Sequence, residues 1–547
     1  MTIKYTKEQL NKFDKDLLIE LFLGMQGQME ELSRQTQALN DRMQLMMEQM
    51  VLFQKNRFGR SSEKMADSEQ IRFMEVDGTI VFFNEAEAVC DLDAPEPDDL
   101  ELKAPKKKKQ PGKKAADIAG LTVKRIDHYL KEEELTAEFG ENGWKQLPDA
   151  ISRCYQFIPA SVVIEEHHIG VYSSKLDEHM IKAPHPRNLL HGSLVSPSLA
   201  AAVINGKYVN AVPLYRLEKE FERYGLAITR QNMANWMIRL GEEYLGTMYD
   251  YLHKLLYDYH VIQADETPVL VNKGGRPAGS QSYMWVYRSG FMYRDRQIIL
   301  YEYQKTRNAS HPRDFLRDYT GICVTDGYQV YHTLEKEREN LKIAGCWVHC
   351  RRRFNDALEV IPKAHRKESI LHLIMKQIQA IYREEGKLSD FSTEDRLMQR
   401  QLVVKPLVDA FFAYLKQNEP KIPKNGKIRE AFTYALNQES YLKVFLEDGD
   451  VPIDNNASER AIRGFCIGKK NWEMIDTVNG ANSSAIIYSI AETAKANNLK
   501  PFDYFEYLLT EIPKHVDDKN TDFLAELLPW SDMLPENIRK PQKASGK

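Results

Sequence analysis

Apolar residues recur every seven positions along residues 17–54. Leu18, Met25, Leu32, Leu39, Met46 and Phe53 form one seam, and Phe22, Met29, Thr36, Met43 and Met50 the other. A sustained 4–3 spacing predicts a coiled coil and hence self-association, against the alternative of an amphipathic helix packed on its own globular body. Gly24 and Gly27 weaken its first turns. After RFGRSSEK (57–64), the run IRFMEVDGTIVFFNEAEA reads as a hairpin. DLDAPEPDDLE and KKKKQPGKK follow it, blocks of opposite charge with Pro and Gly that read as a linker.

Residues 125–190 alternate weakly, as in CYQFIPASVVIEEHHIGVY, and predict a small module of short strands. The pattern then turns helical. LYRLEKEFERYG stops at Gly225, AIT makes the turn, and Thr229 caps RQNMANWMIRL, which is the plan of a helix-turn-helix. Arg230, Gln231 and Asn232 open the second helix, where such folds meet base edges, although a generic helical hairpin gives the same pattern.

From residue 259 the period becomes that of strands. HVIQADETPVLV, SYMWVYRS and RQIILYEYQ come first, and then helix alternates with the strands GICVTDGYQ and KIAGCWVH. Three consecutive strands followed by alternation predict a mixed sheet of the ribonuclease-H type. Residues 364–447 carry helical patterning without strand runs. The chain thus reads as multidomain α+β. A coiled coil (1–56) leads to a hairpin and charged linker (57–124), a small module (125–190) and a helix-turn-helix region (191–250). The core occupies 251–363 and 448–500 around an all-α insertion (364–447), and a helical tail (501–547) closes the chain.

Composition narrows the class. At 547 residues the chain exceeds a single core. No apolar run reaches the roughly 18 residues a membrane helix requires, and the N-terminus lacks the plan of a secretory signal. Six cysteines with no CxxC pair suit a reducing compartment, so a cytoplasmic location is expected. With a net charge of −4, only local patches can announce nucleic acid. The lysines between 106 and 114 either hold phosphates or keep the linker solvated.

Candidate chemistry lies in three acids. Asp265 falls inside the first core strand and Asp326 just past the fourth. With the first strand central and the fourth beside it, the two carboxylates meet at one sheet edge. Glu459, in IDNNASERAIR, lies on a helix that can deliver a third. Three carboxylates on such a scaffold hold two divalent cations, Mg²⁺ or Mn²⁺, for in-line phosphoryl displacement. Singly, each acid also fits a turn or a helix-dipole role.

ADETPV, TDGYQVY, GCWVHCRRRF, VPIDNNASERAIRGFCIGKKNW and YSIAETAKANNLKP together closely resemble the DDE transposases of the insertion-sequence-66 family. RFGRSSEK, KKQPGKK and ELLPW add to the likeness, which runs from about residue 15 onward. The resemblance implies a DNA transposase with Asp265, Asp326 and Glu459 as catalytic metal ligands. It implies double-stranded DNA as partner, at element ends and target, and accessory proteins of the same element. By the same likeness His349 and Arg351 to Arg353 line the DNA or active-site side, although a charged surface helix gives the same pattern. Cys346, His349 and Cys350 could ligate a metal, but no second pair follows at zinc-finger spacing. Arg460, Arg463, Lys469 and Lys470 suit phosphate, and Trp472 suits either base stacking or the core. Relatives carry a cysteine-rich zinc module before the helix-turn-helix. Here residues 128–190 contain only Cys154, so a degenerate, metal-free module held by its own core is expected, with no structural zinc. A catalytically inactive DNA-binding derivative of a transposase is the alternative reading.

Overall fold

The computed structural model describes residues 73–76, 79–82, 130–140, 160–173, 180–184, 188–277 and 279–541. The heptads of 17–54, the lysine cluster at 106–114 and Cys154 lie outside the described residues. The chain divides into two units, one of residues 49–153 and 541–547, the other of 1–48 and 154–540.

In the first unit β1 (Phe73–Val76) pairs antiparallel with β2 (Thr79–Phe82), Val76 opposite Thr79. This is the hairpin the pattern predicts. Helix α1 (Glu132–Phe139) opens on Glu132, Glu133 and Glu134, the charge its N-terminus favours.

The second unit begins with a short antiparallel pair, β3 (Val171–Ser173) and β4 (Met180–Lys182). Val162, Val163 and Ile164, expected in a strand, are exposed and without regular structure. No described residue between 160 and 184 is buried. Leu189 and Leu190, at the end of the expected module, are buried in the core shared with the helices that follow.

Helices α2 (Pro197–Ile204), α3 (Leu214–Arg223), α4 (Arg230–Leu240) and α5 (Gly246–Leu256) follow. Between α3 and α4 the chain reverses at Gly225, whose φ of +80° suits glycine. Thr229 Oγ1 accepts the Asn232 N–H at 3.2 Å and so caps α4. Met233, Met237 and Leu240 bury one face of α4, and Arg230, Gln231 and Asn232 remain exposed.

The central sheet contains β5 (Val261–Lys273), β6 (Gln281–Ser289), β7 (Ile299–Gln304), β8 (Gly321–Thr325), β9 (Leu341–Gly345) and β10 (Ile475–Thr477). Its order is β7-β6-β5-β8-β9; the first three strands are antiparallel and β8 and β9 run parallel to β5. The 13-residue β5 serves two partners on one side. Val261–Gln263 pair with β8, Val271 and Lys273 pair with β10, and no strand is paired between them. The sheet is split there. Pro268 lies in the gap, where its missing N–H has no ladder to break.

Helix α6 (Ser310–Phe315) precedes β8, α7 (Gln329–Glu337) follows it, and α8 (Trp347–Val360) follows β9. The insertion supplies α9 (Ile370–Gly386), α10 (Thr393–Gln399), α11 (Lys405–Asn418), α12 (Lys427–Asn437) and α13 (Glu439–Lys443), with no strand. The chain then returns to the sheet through α14 (Asn456–Trp472), α15 (Val478–Ala496) and α16 (Pro501–Glu511).

Two cores flank the sheet, and alternation along β8 feeds both. Cys323 joins Met237, Leu300, Phe465 and Tyr488, while Ile322 and Val324 join Trp347, Phe411 and Phe432 from α8 and the insertion. Edge strand β7 is covered by side chains. The Ile299 N–H donates to Thr493 Oγ1 at 2.9 Å and the Tyr301 N–H to Ser489 Oγ at 2.7 Å. Thr493 donates back to the Ile299 carbonyl at 3.0 Å, and Tyr249 takes the Tyr301 carbonyl at 3.0 Å. Among the described residues no helix is long and apolar enough to cross a membrane.

Candidate active site

The gap in the sheet is where the three acids meet. Asp265 lies on β5 just past its pairing with β8, and Asp326 directly follows the end of β8. Glu459 lies in the first turn of α14, which runs along the open side of β5. At one end of that helix, Asn455 Nδ2 donates to the Ala264 carbonyl at 2.7 Å. Near the other, Lys469 Nζ donates to the Pro268 carbonyl at 2.5 Å. Carbonyls that a neighbouring strand would have taken are satisfied by the helix. From the sheet side, Arg288 reaches the Ala457 carbonyl at 3.2 Å and Tyr301 the Ala461 carbonyl at 2.7 Å.

Two buried amides set the helix entry. Gln263 and Asn455 are both fully buried, and Gln263 Nε2 donates to Asn455 Oδ1 at 3.0 Å. Gln263 Oε1 accepts the Phe291 N–H at 2.9 Å, and the Asn455 N–H points to Cys346 Sγ at 3.2 Å. Asp454 folds onto its own turn, accepting the Asn456 N–H at 3.1 Å and Asn456 Nδ2 at 2.9 Å. Both its oxygens are engaged by the turn, so its role here is local.

Charge at the site is only partly compensated. Burial pushes the Asp265 carboxyl well above the usual carboxylate range, and the charges of Glu266, Asp326 and Glu459 push the same way. Burial, then Asp326, raise neighbouring Glu266 to about 7 against the pull of Arg307, which binds Glu266 Oε1 at 2.7 Å. Glu459 Oε1 is buried with no hydrogen-bond partner, and Arg352 stands 3.7 Å from its other oxygen. A folded-state carboxyl raised above its unfolded value binds protons that the unfolded chain has released, so it withdraws stability as pH rises. For Glu266 the loss runs between 4.5 and about 7 and amounts to about 3 kcal/mol at most. In metal-free buffer Glu266→Gln is therefore expected to narrow the fall in melting temperature between pH 5 and pH 8. An unchanged fall would show that Glu266 is not the titrating group.

His349, on the first turn of α8, also faces the acids. Burial lowers its pKa while Asp326 and Glu459 oppose the shift, and its Nδ1 is buried without a partner. Ligand atoms of Cys346, His349 and Glu459 lie within 4.8 Å of one another. Cys350 is not in that group; it is buried in the second core. Arg351 is half-buried and Arg352 exposed, while Arg353 stacks on Tyr434 at 4.3 Å.

The other cationic candidates spread along and beyond α14. Arg460 lies over the Phe291 ring at 5.5 Å, and Arg463 and Lys470 are exposed. Trp472 packs edge-on against Phe465 at 5.6 Å and takes the core role left open by the sequence. Arg230 lies over Tyr215 at 5.7 Å on the helix-turn-helix surface, and Gln231 and Asn232 are exposed beside it. Sequence reading missed Gln263, Glu266 and Arg307. A buried-strand position holding Gln two residues before an acid, on the same face, was the available signal for the first.

Three family models match the chain. The one described as Transposase IS66 family covers residues 192–483, and so all three acids. IS66 C-terminal element covers 489–530, and Transposase C of IS166 homeodomain covers 45–126, where the pattern predicts a hairpin and charged linker. Uncharacterized protein y4qI of Sinorhizobium fredii is 28% identical over 369 residues, 66% of this chain and 67% of its own length. Uncharacterized protein y4jD of the same organism is 24% identical over 433 residues, 76% and 82% of the two chains.

Proposed function

The chain belongs to the IS66 transposase family, and from that we propose that it is a DNA transposase whose Asp265, Asp326 and Glu459 hold two divalent ions for phosphodiester hydrolysis and strand transfer. One observation carries this reading. Three acids from three separate elements converge at the gap beside β5, where burial and then like charge raise Asp265, and one Glu459 oxygen is buried without a partner. Such a cluster is costly unless a cation shares it. Its all-oxygen donors fit the hard ions Mg²⁺ or Mn²⁺. Bound there, the ions supply activation of water or a 3′-hydroxyl and stabilisation of the leaving oxygen.

The chain's own residues do the positioning. Gln263 and Asn455 hold α14 against β5, so that Glu459 keeps its place opposite Asp265. Arg352 offers a phosphate contact beside Glu459, and the exposed Arg463 and Lys470 offer further ones along α14. The strand order, three antiparallel and two parallel, supports a ribonuclease-H-like core. The 17–54 heptads support a homo-oligomer that brings two DNA ends together, with accessory proteins of the element as further partners.

The deciding experiment uses supercoiled plasmid carrying the element's ends. Full-length protein is expected to nick and linearise it with Mg²⁺ or Mn²⁺ and to leave it intact in chelator. Protein that binds the ends yet cleaves with neither metal would overturn the proposal and leave a DNA-binding derivative of a transposase.

A further inference from the structure

A cleft of about 750 Å³ opens beside the acids, between α7 and the insertion's α12. Its inner end adjoins Asp326. Tyr434 of α12 donates to the Asp326 carbonyl at 3.0 Å, and a Cβ built on Gly327 would lie 3.3 Å from Gln438 Oε1. From there the cleft follows α12 back to Gly426, about 16 Å for 11 residues at 1.5 Å each.

The two ends differ in chemistry. At the inner end stand two polar side chains more than nine-tenths buried, His332 and Gln438, at 3% and 8% exposure. His332 Nε2 and Gln438 Oε1 both lack hydrogen-bond partners. The His332 ring is stacked flat on Tyr441 at 3.9 Å, and both residues line the cleft. Leaving such atoms unpaired is costly, and a ligand with a matching polar edge relieves the cost. At the far end α12 begins at Gly426, φ +101°, with no side-chain cap on its first N–H groups. Lys424 lies beside it, and Lys336 of α7 also lines the cleft. The acid on this wall, Glu430, is paired with Lys427 at 2.8 Å. An uncapped helix start beside lysine is a phosphate site.

We propose that this cleft binds an unpaired segment of the DNA strand adjoining the scissile phosphate, with a base edge at Gln438 and His332 and backbone phosphate at the start of α12. The proposal rests on the transposase reading above and adds a strand-binding site that involves the insertion. An unpaired base is required because pairing occupies the edge that buried amide and imidazole atoms can meet.

The test is equilibrium binding of full-length protein to one fluorescent duplex, blunt or with a short unpaired 3′ or 5′ extension, in chelator so that nothing is cut. One extended form is expected to bind about tenfold more tightly than the blunt form. Lys336→Glu with Lys424→Glu, both on the surface, is expected to remove that preference while changing blunt-duplex affinity by less than about threefold. Gln438→Leu is expected to reduce it with the charges intact. No preference in the wild type, equal weakening on both DNAs, or full preference retained in the double variant would each overturn the proposal. Competition by a mononucleotide as effective as the extension would do the same. Because binding is read without metal, an intact preference alongside failed plasmid cleavage would remove the catalytic reading and leave the strand cleft standing.

Discussion

Glu459→Gln is expected to lower cleavage and strand transfer by roughly 10³-fold or more while leaving DNA affinity and melting temperature nearly unchanged. Glutamine keeps the side chain's size and hydrogen-bonding capacity, so α14 still seats on β5 through Asn455 and Lys469. What disappears is one of the three negative charges that act on Asp265. Asp265→Asn and Asp326→Asn are expected to behave alike. Combining any two should cost little more than one, since groups that act as a unit fail as a unit. Asp454→Asn supplies the contrast. Asp454 spends one oxygen on the Asn456 N–H, which an amide oxygen can still accept, and only the second contact, to the Asn456 side chain, is lost, so substantial activity should survive. Plasmid cleavage by the four variants decides the matter. An active Glu459→Gln beside an inactive Asp454→Asn would move the third ligand to Asp454.

Asn455→Ala is expected to be the most damaging change outside the acids. Asn455 is fully buried; its loss strands the Ala264 carbonyl in the core and leaves Gln263 Nε2 only its long contact to the Asp454 carbonyl at 3.4 Å. Buried groups left unsatisfied cost about 1–3 kcal/mol each, so the variant should lose roughly 2–4 kcal/mol. Asn455→Asp should fare no better, because a carboxylate cannot donate to Ala264. Activity should fall further than stability, as the same bonds set the height of Glu459 over β5. Asn471→Ala is the control. Asn471 also donates to a backbone carbonyl, that of Ala211 at 2.9 Å, but from an exposed position, and its removal should cost under about 0.5 kcal/mol. Calorimetric melting of the two variants gives the comparison. A melting temperature for Asn455→Ala within a degree of wild type would show that these bonds do not hold the helix.

Strands β5 to β9 were legible because each is rich in β-branched, aromatic and other apolar residues and is bounded by turn residues. The helix-turn-helix geometry was legible because Gly225 and Thr229 act locally. Asp265 and Asp326 could be placed together because the chain order of the strands restricts which can be neighbours. The gap beside β5 was not legible. It depends on β10, three residues of ordinary composition whose pairing with Val271 and Lys273 is settled only by the tertiary fold. The Gln263–Asn455 contact spans 192 residues and leaves no periodic trace. The strand-like run at 162–164 misled because β-propensity measures fit to a half-buried surface, and none among the described residues covers it.

The covering of β7 bears on what becomes of damaged copies of the gene. Ser489 and Thr493, which take the edge of β7, lie in the segment matched as the IS66 C-terminal element, downstream of every acid. A reading frame cut short after Trp472 but before Ser489 still encodes the three carboxylates and the helix-turn-helix region. It leaves the Ile299 and Tyr301 N–H groups bare on an apolar strand, which is a template for chain-to-chain pairing. Such a product is headed for aggregation and proteolysis rather than for a second career as a repressor competing with its intact siblings for the same DNA.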